Sequence, residues 1–335
     1  MFDDNNNNNN SVPLTSEIEN KNESNILLKI TSTIILVLSF TLIPIYFIYR
    51  SKDELDFLVV SDVHEDNDNL NKLVKKLSNR KFDYVLFLGD FLDPIDNEEE
   101  QYEKKQGDEK EDIKKVEKII KKLEEIAPVL YVGGNHDPLS IFTDDFKIDT
   151  DLDKTKNLHK KYQKIKDDLY IVGIGGSTPI LNGINYTKDE EPFKSLNISN
   201  VLYNGSPYEG NFTEADEQFN DNLTEILDQM EEINASIILM SHIGPIYSYT
   251  SIQKLNDSYP MIYLGSLNLF NKYIEEEKIF LNVHGHTHPS RGRYNHYEHK
   301  TILNPGALAF SYYATMRIYK KDGKYDIKTT FENLD

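Results

Sequence analysis

The chain has 335 residues, enough for one large buried core or two smaller ones. A hydrophobic fraction of 39% and an aromatic fraction of 11% exclude wholesale disorder, and a formal charge of −19 argues against binding DNA or RNA. With no cysteine there can be no disulfide, thiol nucleophile or cysteine zinc site, so any metal must be held by His, Asp, Glu or Asn.

Residues 1–29 open with an asparagine run and carry few large apolar groups, too few to offset the entropy of ordering, so a disordered tail is expected. From Ile30 to Tyr49 no charge occurs, a length that suits one crossing of about 30 Å of hydrocarbon. A membrane anchor at 30–49 is favoured over a cleaved signal, since no basic leading region or small-residue cleavage pattern flanks it, and over a buried core helix. Lys21 and Lys29 before the span balance Arg50 and Lys52 after it, so the positive-inside count does not orient it. Asn-x-Ser/Thr sequons at Asn185, Asn197, Asn204, Asn211, Asn222, Asn234 and Asn256 tilt the expectation toward a lumenal or extracellular domain.

A single domain is expected over 53–335. It opens with strand Phe57–Ser61, helix Asn67–Leu77, strand Tyr84–Leu88, helix Asp112–Ile126 and strand Val129–Val132. The helices stripe apolar residues on one face, Leu70, Leu73, Val74 and Leu77 in the first, and Pro128 ends the second. The charged stretch Asp96–Asp112 reads as a solvated loop or helix face, and residues 178–212 as an irregular excursion of the kind that carries selectivity. Helix Glu214–Ile233, strand Ile237–Met240, helix Leu267–Ile274 and strand Ile279–Val283 follow. Strands Thr301–Leu303, Ala309–Tyr319 and Tyr325–Thr330 close the chain.

Groups able to bind metals fall just after five of these strands, where an open α/β sheet places its ligand crevice. They are Asp62 and His64, then Asp90 with Asp93, then Asn135, His136 and Asp137, then His242, then His286 and His288. Each fragment alone reads as a turn or a satisfied surface pair; their joint order is the signal. Of nine histidines, His159, His296 and His299 have no such placement and are expected at the surface, while His284 reads as a structural or supporting residue. Arg291 and Arg293 are the nearest arginines, either phosphate-binding aids or solvated loop cations.

Taken together, Asp-x-His, Gly-Asp-x-x-Asp, Gly-Asn-His-Asp, an isolated His and Gly-His-x-His resemble, in order, the five motifs of the calcineurin-like metallophosphoesterase superfamily. The late Asn304-Pro305-Gly306 is similar to a loop that many members carry. The resemblance implies an α/β fold, a two-sheet β-sandwich flanked by helices. It also implies two divalent ions, with Asp90 bridging, Asp62, His64 and His288 on one ion, and Asn135, His242 and His286 on the other. Mixed nitrogen and oxygen ligands suit Mn, Fe or Zn better than Ca. A hydroxide bridging the ions would attack phosphorus, and His136 would protonate the leaving group, with either Asp93 or Asp137 orienting its ring.

The expected activity is hydrolysis of a small phosphomonoester or phosphodiester. The alternative is a non-catalytic metal-binding interaction module on the same fold, although such proteins usually lose ligands and here all are present. Serine/threonine phosphatases of this kind carry an Arg after the second motif and another beside the third. Here Pro94 and Pro138 stand there, which counsels against a phosphoprotein substrate.

Overall fold

The computed structural model describes residues 29–36, 54–93, 109–177, 212–253, 262–295 and 300–335. Leu55–Asp335 is one compact unit and Met1–Glu54 another. In the latter, 29–36 is helical. The predicted tail before Lys29 and the predicted span beyond Leu36 lie outside the described residues. Among the described residues no helix is long and apolar enough to cross a membrane.

In chain order the strands are β1 (Glu54–Val60), β2 (Tyr84–Phe87), β3 (Val129–Tyr131), β4 (Lys156–Asn157), β5 (Lys161–Lys166), β6 (Leu169–Ile174) and β7 (Ser236–Ser241). Four two-residue strands follow, β8 (Gly244–Pro245), β9 (Ile252–Gln253), β10 (Ile262–Tyr263) and β11 (Gly265–Ser266). The last five are β12 (Ile279–Val283), β13 (Gly292–Asn295), β14 (Thr301–Asn304), β15 (Tyr312–Lys321) and β16 (Lys324–Asn333).

Two six-stranded sheets form, in the orders β16-β15-β1-β2-β3-β4 and β13-β14-β12-β7-β6-β5. The central strands of each run parallel, β1 to β4 in the first and β6, β7, β12 and β14 in the second. Strand alternation explains the layering. In β1, Leu58 and Val60 pack against the helices Asn67–Leu77 and Lys110–Glu124, while Phe57 and Val59 face the other sheet. Leu86, Leu130, Met240, Leu281 and Leu303 complete that layer between the sheets. On the far side, helices Phe212–Asp228 and Leu267–Glu275 cover Val172, Ile237 and Leu239. The predicted two-sheet sandwich flanked by helices is the observed architecture. Strands buried on both faces are near-continuously apolar, which is why their sequences are plain to read.

Several elements depart from expectation. The polar β5, Lys161–Lys166, and its partner β6 fall outside the predicted elements; β5 is a polar edge strand with no apolar run, whereas β6 carries the same apolar run as the other buried strands. The first of the two long closing strands, β15, begins at Tyr312 rather than Ala309. A 3-10 turn, Leu308–Phe310, precedes it, and Ser311 sits at a φ of 68°, a left-handed conformation that interrupts extension. The helix predicted to reach Ile233 stops at Asp228. The predicted excursion at 178–212, up to residue 211, lies outside the described residues, as does most of the charged stretch before Lys110.

His159 also differs from expectation. It is buried, its Nδ1 accepts the Gly175 N–H at 3.0 Å, and its ring meets Phe142 edge-on. Burial, helped by Lys160 and Lys161, pushes it down to about 3. The unfolded chain therefore takes up a proton near pH 6.5 that the folded chain refuses, so the stability present above pH 6.5 is lost as pH falls toward 3. Between pH 7 and 4.5 the wild type should lose about 2–3 kcal/mol more than His159→Gln, which has no proton to take up. Urea unfolding at both pH values measures the difference; equal slopes would place the histidine outside the acid response. His296 and His299 lie outside the described residues.

Candidate metal centre

All five predicted strand ends meet at one edge of the sandwich. The loops after β1, β2 and β3 bring Asp62, His64, Asp90, Asn135 and His136; those after β7 and β12 bring His242, His286 and His288. One donor atom each from Asp62, His64, Asp90 and His288 lie within 4.8 Å of one another, and the same holds for Asp90, His242 and His286. Asp90 belongs to both groups. Its Oδ2 is 3.3 Å from His242 Nε2 and 3.9 Å from both His64 Nε2 and His136 Nε2.

The backbone is bent sharply to achieve this. Asp62, His64, Glu65, Asp90 and His286 all have φ between 47° and 64°, a region side chains rarely occupy and which costs about 1–3 kcal/mol per residue. The loops are fastened to one another by Asp62 N–H to Gly89 O, Val63 N–H to Asp90 O, and Gly285 N–H to His242 O. The His286 N–H in turn donates to the Asp62 carboxylate.

Hydrogen bonding fixes which ring nitrogen faces inward. His64 Nδ1 lies 2.9 Å from Leu92 O, and His242 Nδ1 lies 2.7 Å from Leu88 O. A carbonyl can only accept, so Nδ1 carries a proton and each Nε2 faces the centre, where it can give a lone pair to a cation. There His64 Nε2 meets His288 Nε2 at 3.0 Å, and His242 Nε2 meets Asn135 Oδ1 at 3.0 Å. His286 Nε2 is buried without a hydrogen-bond partner among the described residues. Ring nitrogens crowded against one another and against an amide oxygen, beside two buried carboxylates, form a donor set that a cation satisfies. The residues present therefore fit divalent metal ions.

Without metal, the carboxylates favour a proton on some of these rings, a proton that a bound cation would displace. Burial alone would raise Asp62 and Asp90, but His288 overrides it and brings Asp62 down to about 2, while His242 and His136 hold Asp90 well below the usual carboxylate range. Against its burial, the Asp90 carboxylate raises His242 to about 9. His286, with burial dominant, falls to about 3. Burial also pushes His136 below its ordinary value.

Neither carboxylate expected to orient His136 does so. Asp137 is wholly buried and its oxygens accept from the N–H groups of Asp90, Phe91, Leu92 and Gly134 at 2.7–3.3 Å. It shapes the turn that presents Asp90, and four amides leave its oxygens occupied. Burial and the neighbouring Asp90 push it up to about 7. Asp93 is exposed and makes no hydrogen bond to His136, whose Nδ1 has no partner among the described residues. His136 is held instead by Asn135 Nδ2, 2.9 Å from its Nε2, and by its own N–H, which donates to Asp90 Oδ1 at 3.0 Å.

Asn304 has a supporting role that its motif only hinted at. Its Nδ2 donates to the carbonyls of Thr250, Gly285 and Thr287, bracing the loop that carries His286 and His288. His284 points away from the centre, with Nε2 2.8 Å from Thr250 Oγ1. Arg291 stacks over Tyr312 and Arg293 donates to Ile327 O, so both have structural partners.

Close packing extends to the glycines. A Cβ on Gly134 would overlap the Asp90 carboxylate and backbone nitrogen. Gly134→Ala should displace Asp90 and cut turnover by about 100-fold, the scale of a 1 Å misplacement, at a stability cost of about 1–3 kcal/mol. Metal content, turnover and a thermal melt check this; an unaltered metal content would show that Asp90 tolerates the shift.

Comparison with known proteins places these observations. A family model described as calcineurin-like phosphoesterase matches residues 55–290. One solved structure is 14% identical at a TM-score of 0.55, over 84% of this chain and 100% of its own. The protein TT1561 of Thermus thermophilus is 14% identical at a TM-score of 0.49, over 84% of this chain and 99% of its own. A putative 5'-nucleotidase from Staphylococcus aureus is 13% identical at a TM-score of 0.45, over 84% of this chain and 54% of its own. No curated protein matches. At such identities a structural likeness speaks to fold alone; the family rests on the match spanning all five motifs, and by it the chain belongs to the calcineurin-like phosphoesterases.

Proposed function

We propose that this protein is a metal-dependent phosphoesterase that hydrolyses a small phosphomonoester or phosphodiester at the Asp90 centre. The observation that carries the reading is the shared carboxylate: Asp90 lies in both donor groups, as a bridge between two cations requires. Asp62, His64 and His288 would complete one ion's shell; Asn135, His242 and His286 would complete the other's. Bound there, a pair of Mn, Fe or Zn ions supplies Lewis acidity and a water acidic enough to attack phosphorus near neutral pH.

The chain's own groups do the rest. Leu88 and Leu92 carbonyls hold the imidazoles of His242 and His64 in one tautomer, and the Asp137 nest holds Asp90 in its strained turn. His136 is partly open to solvent and stands beside Asp90, where it can give a proton to the departing oxygen; an anionic ester next to it favours its protonated form. The purified full chain should carry two metals and hydrolyse p-nitrophenyl phosphate or bis-p-nitrophenyl phosphate with Mn²⁺. Two metals without turnover on any ester would favour the interaction module.

Residues 30–49 are proposed as the membrane anchor, supported by their charge-free length and by Ile34, Ile35 and Leu36, each more than half exposed on the helical segment 29–36. The sequons support a lumenal or extracellular domain. Retention of the chain in the membrane fraction after alkaline extraction tests the anchor, and a mobility shift on endoglycosidase treatment tests the side.

A further inference from the structure

We infer that Phe310 is a specificity-determining residue of this centre, a rigid aromatic wall that selects phosphate esters carrying a flat ring. The inference rests on the phosphoesterase reading and concerns which esters that site prefers.

Among the described residues, access to the centre is one-sided. Asp62, Asp90 and His242 are closed to solvent, whereas the side chains of His136 and His288 are 24% and 28% exposed. An ester whose phosphoryl group sits among the ligands must extend its organic part past these two rings. Phe310 stands there, its ring edge-on to His288 with centroids 5.6 Å apart, and it is 55% exposed.

The exposure is not slack. The 3-10 turn Leu308–Phe310 is tied to the strand end that carries Asp62, through Leu308 N–H to Ser61 O and Ala309 N–H to Asp62 O. Asn69 Nδ2 donates to the carbonyls of Leu308 and Ala309. Phe310 N–H and Ser311 N–H bond within the turn, and Ser311 closes it in the left-handed conformation. A large apolar side chain on so constrained a backbone loses little entropy when a ring stacks on it, and its open face gains from being covered. A ring-free ester gains nothing from that face. Base–aromatic stacking is worth about 1–3 kcal/mol, or about 5- to 150-fold in affinity.

The test is a preference ratio on the metal-loaded full chain. Adenosine 5'-monophosphate and ribose 5-phosphate share the same primary ester and differ in the ring; their methyl diesters give the same comparison for a diesterase. The wild type should favour the ring-bearing ester in kcat/KM, mainly through KM. In Phe310→Ala the ratio should fall by about 5- to 150-fold, and in Phe310→Trp it should persist. A wild type with no preference, or a Phe310→Ala variant that lowers both esters by one factor, overturns the inference while leaving the hydrolase intact. If neither ester pair is turned over, the inference falls, and the p-nitrophenyl esters then decide whether the hydrolase reading falls with it.

Discussion

Asp90→Asn is expected to empty the centre of both ions. The substitution keeps the shape and an oxygen for the His136 N–H, but removes the charge that both donor groups share. Changes to groups that merely support metal ligands cost about 10–100-fold in affinity, so loss of the bridging charge should exceed about 100-fold and take turnover to background. Elemental analysis of purified protein measures it directly, with a circular dichroism spectrum to show that the sandwich persists. Retention of one ion at full occupancy would mean that Asp90 serves a single site and that the two groups are not bridged.

His136→Ala should behave in the opposite way, keeping the metals and losing rate by about 10²–10⁴-fold, the worth of a positioned acid. The contrast follows from geometry: His136 Nε2 lies 3.9 Å from Asp90 Oδ2 but belongs to neither donor group. An acid matters only when the departing oxygen needs a proton. The loss should therefore be large on an alkyl ester and small on a p-nitrophenyl ester, whose leaving group departs as a stable anion. An equal loss on both esters would assign His136 to holding the substrate or the fold instead.

Much of this could be read from the residues. The helix Asn67–Leu77 has the bounds its apolar stripe gave, with Asp66 accepting the Asn69 N–H as its cap. The eight residues at the strand ends meet because parallel strands end on one side, a regularity that turns sequence order into spatial convergence. Side-chain direction was not legible. Asp137 follows His136 in sequence, yet it turns to four backbone amides, because a nest of unsatisfied N–H groups is the stronger claim on a buried carboxylate. His159 is apart from any motif, and nothing local shows that β6 and Phe142 would enclose it. Phe310 lies inside what looked like a continuous strand, and the left-handed Ser311 that sets it apart leaves no trace in composition.

The division of ligands between the sheets has a mechanical meaning. Asp62, His64, Asp90 and Asn135 hang from one sheet, and His242, His286 and His288 from the other. Ions bound among them would act as rivets across the layer of Leu86, Met240 and Leu281. Metal would then stabilise the fold increasingly with its concentration, by about 2.7 kcal/mol at a hundred times Kd, and raise the unfolding temperature accordingly. Conversely, loosening that oily seam, as Met240→Ala would at about 2–5 kcal/mol, should weaken the grip on metal without touching a single donor atom.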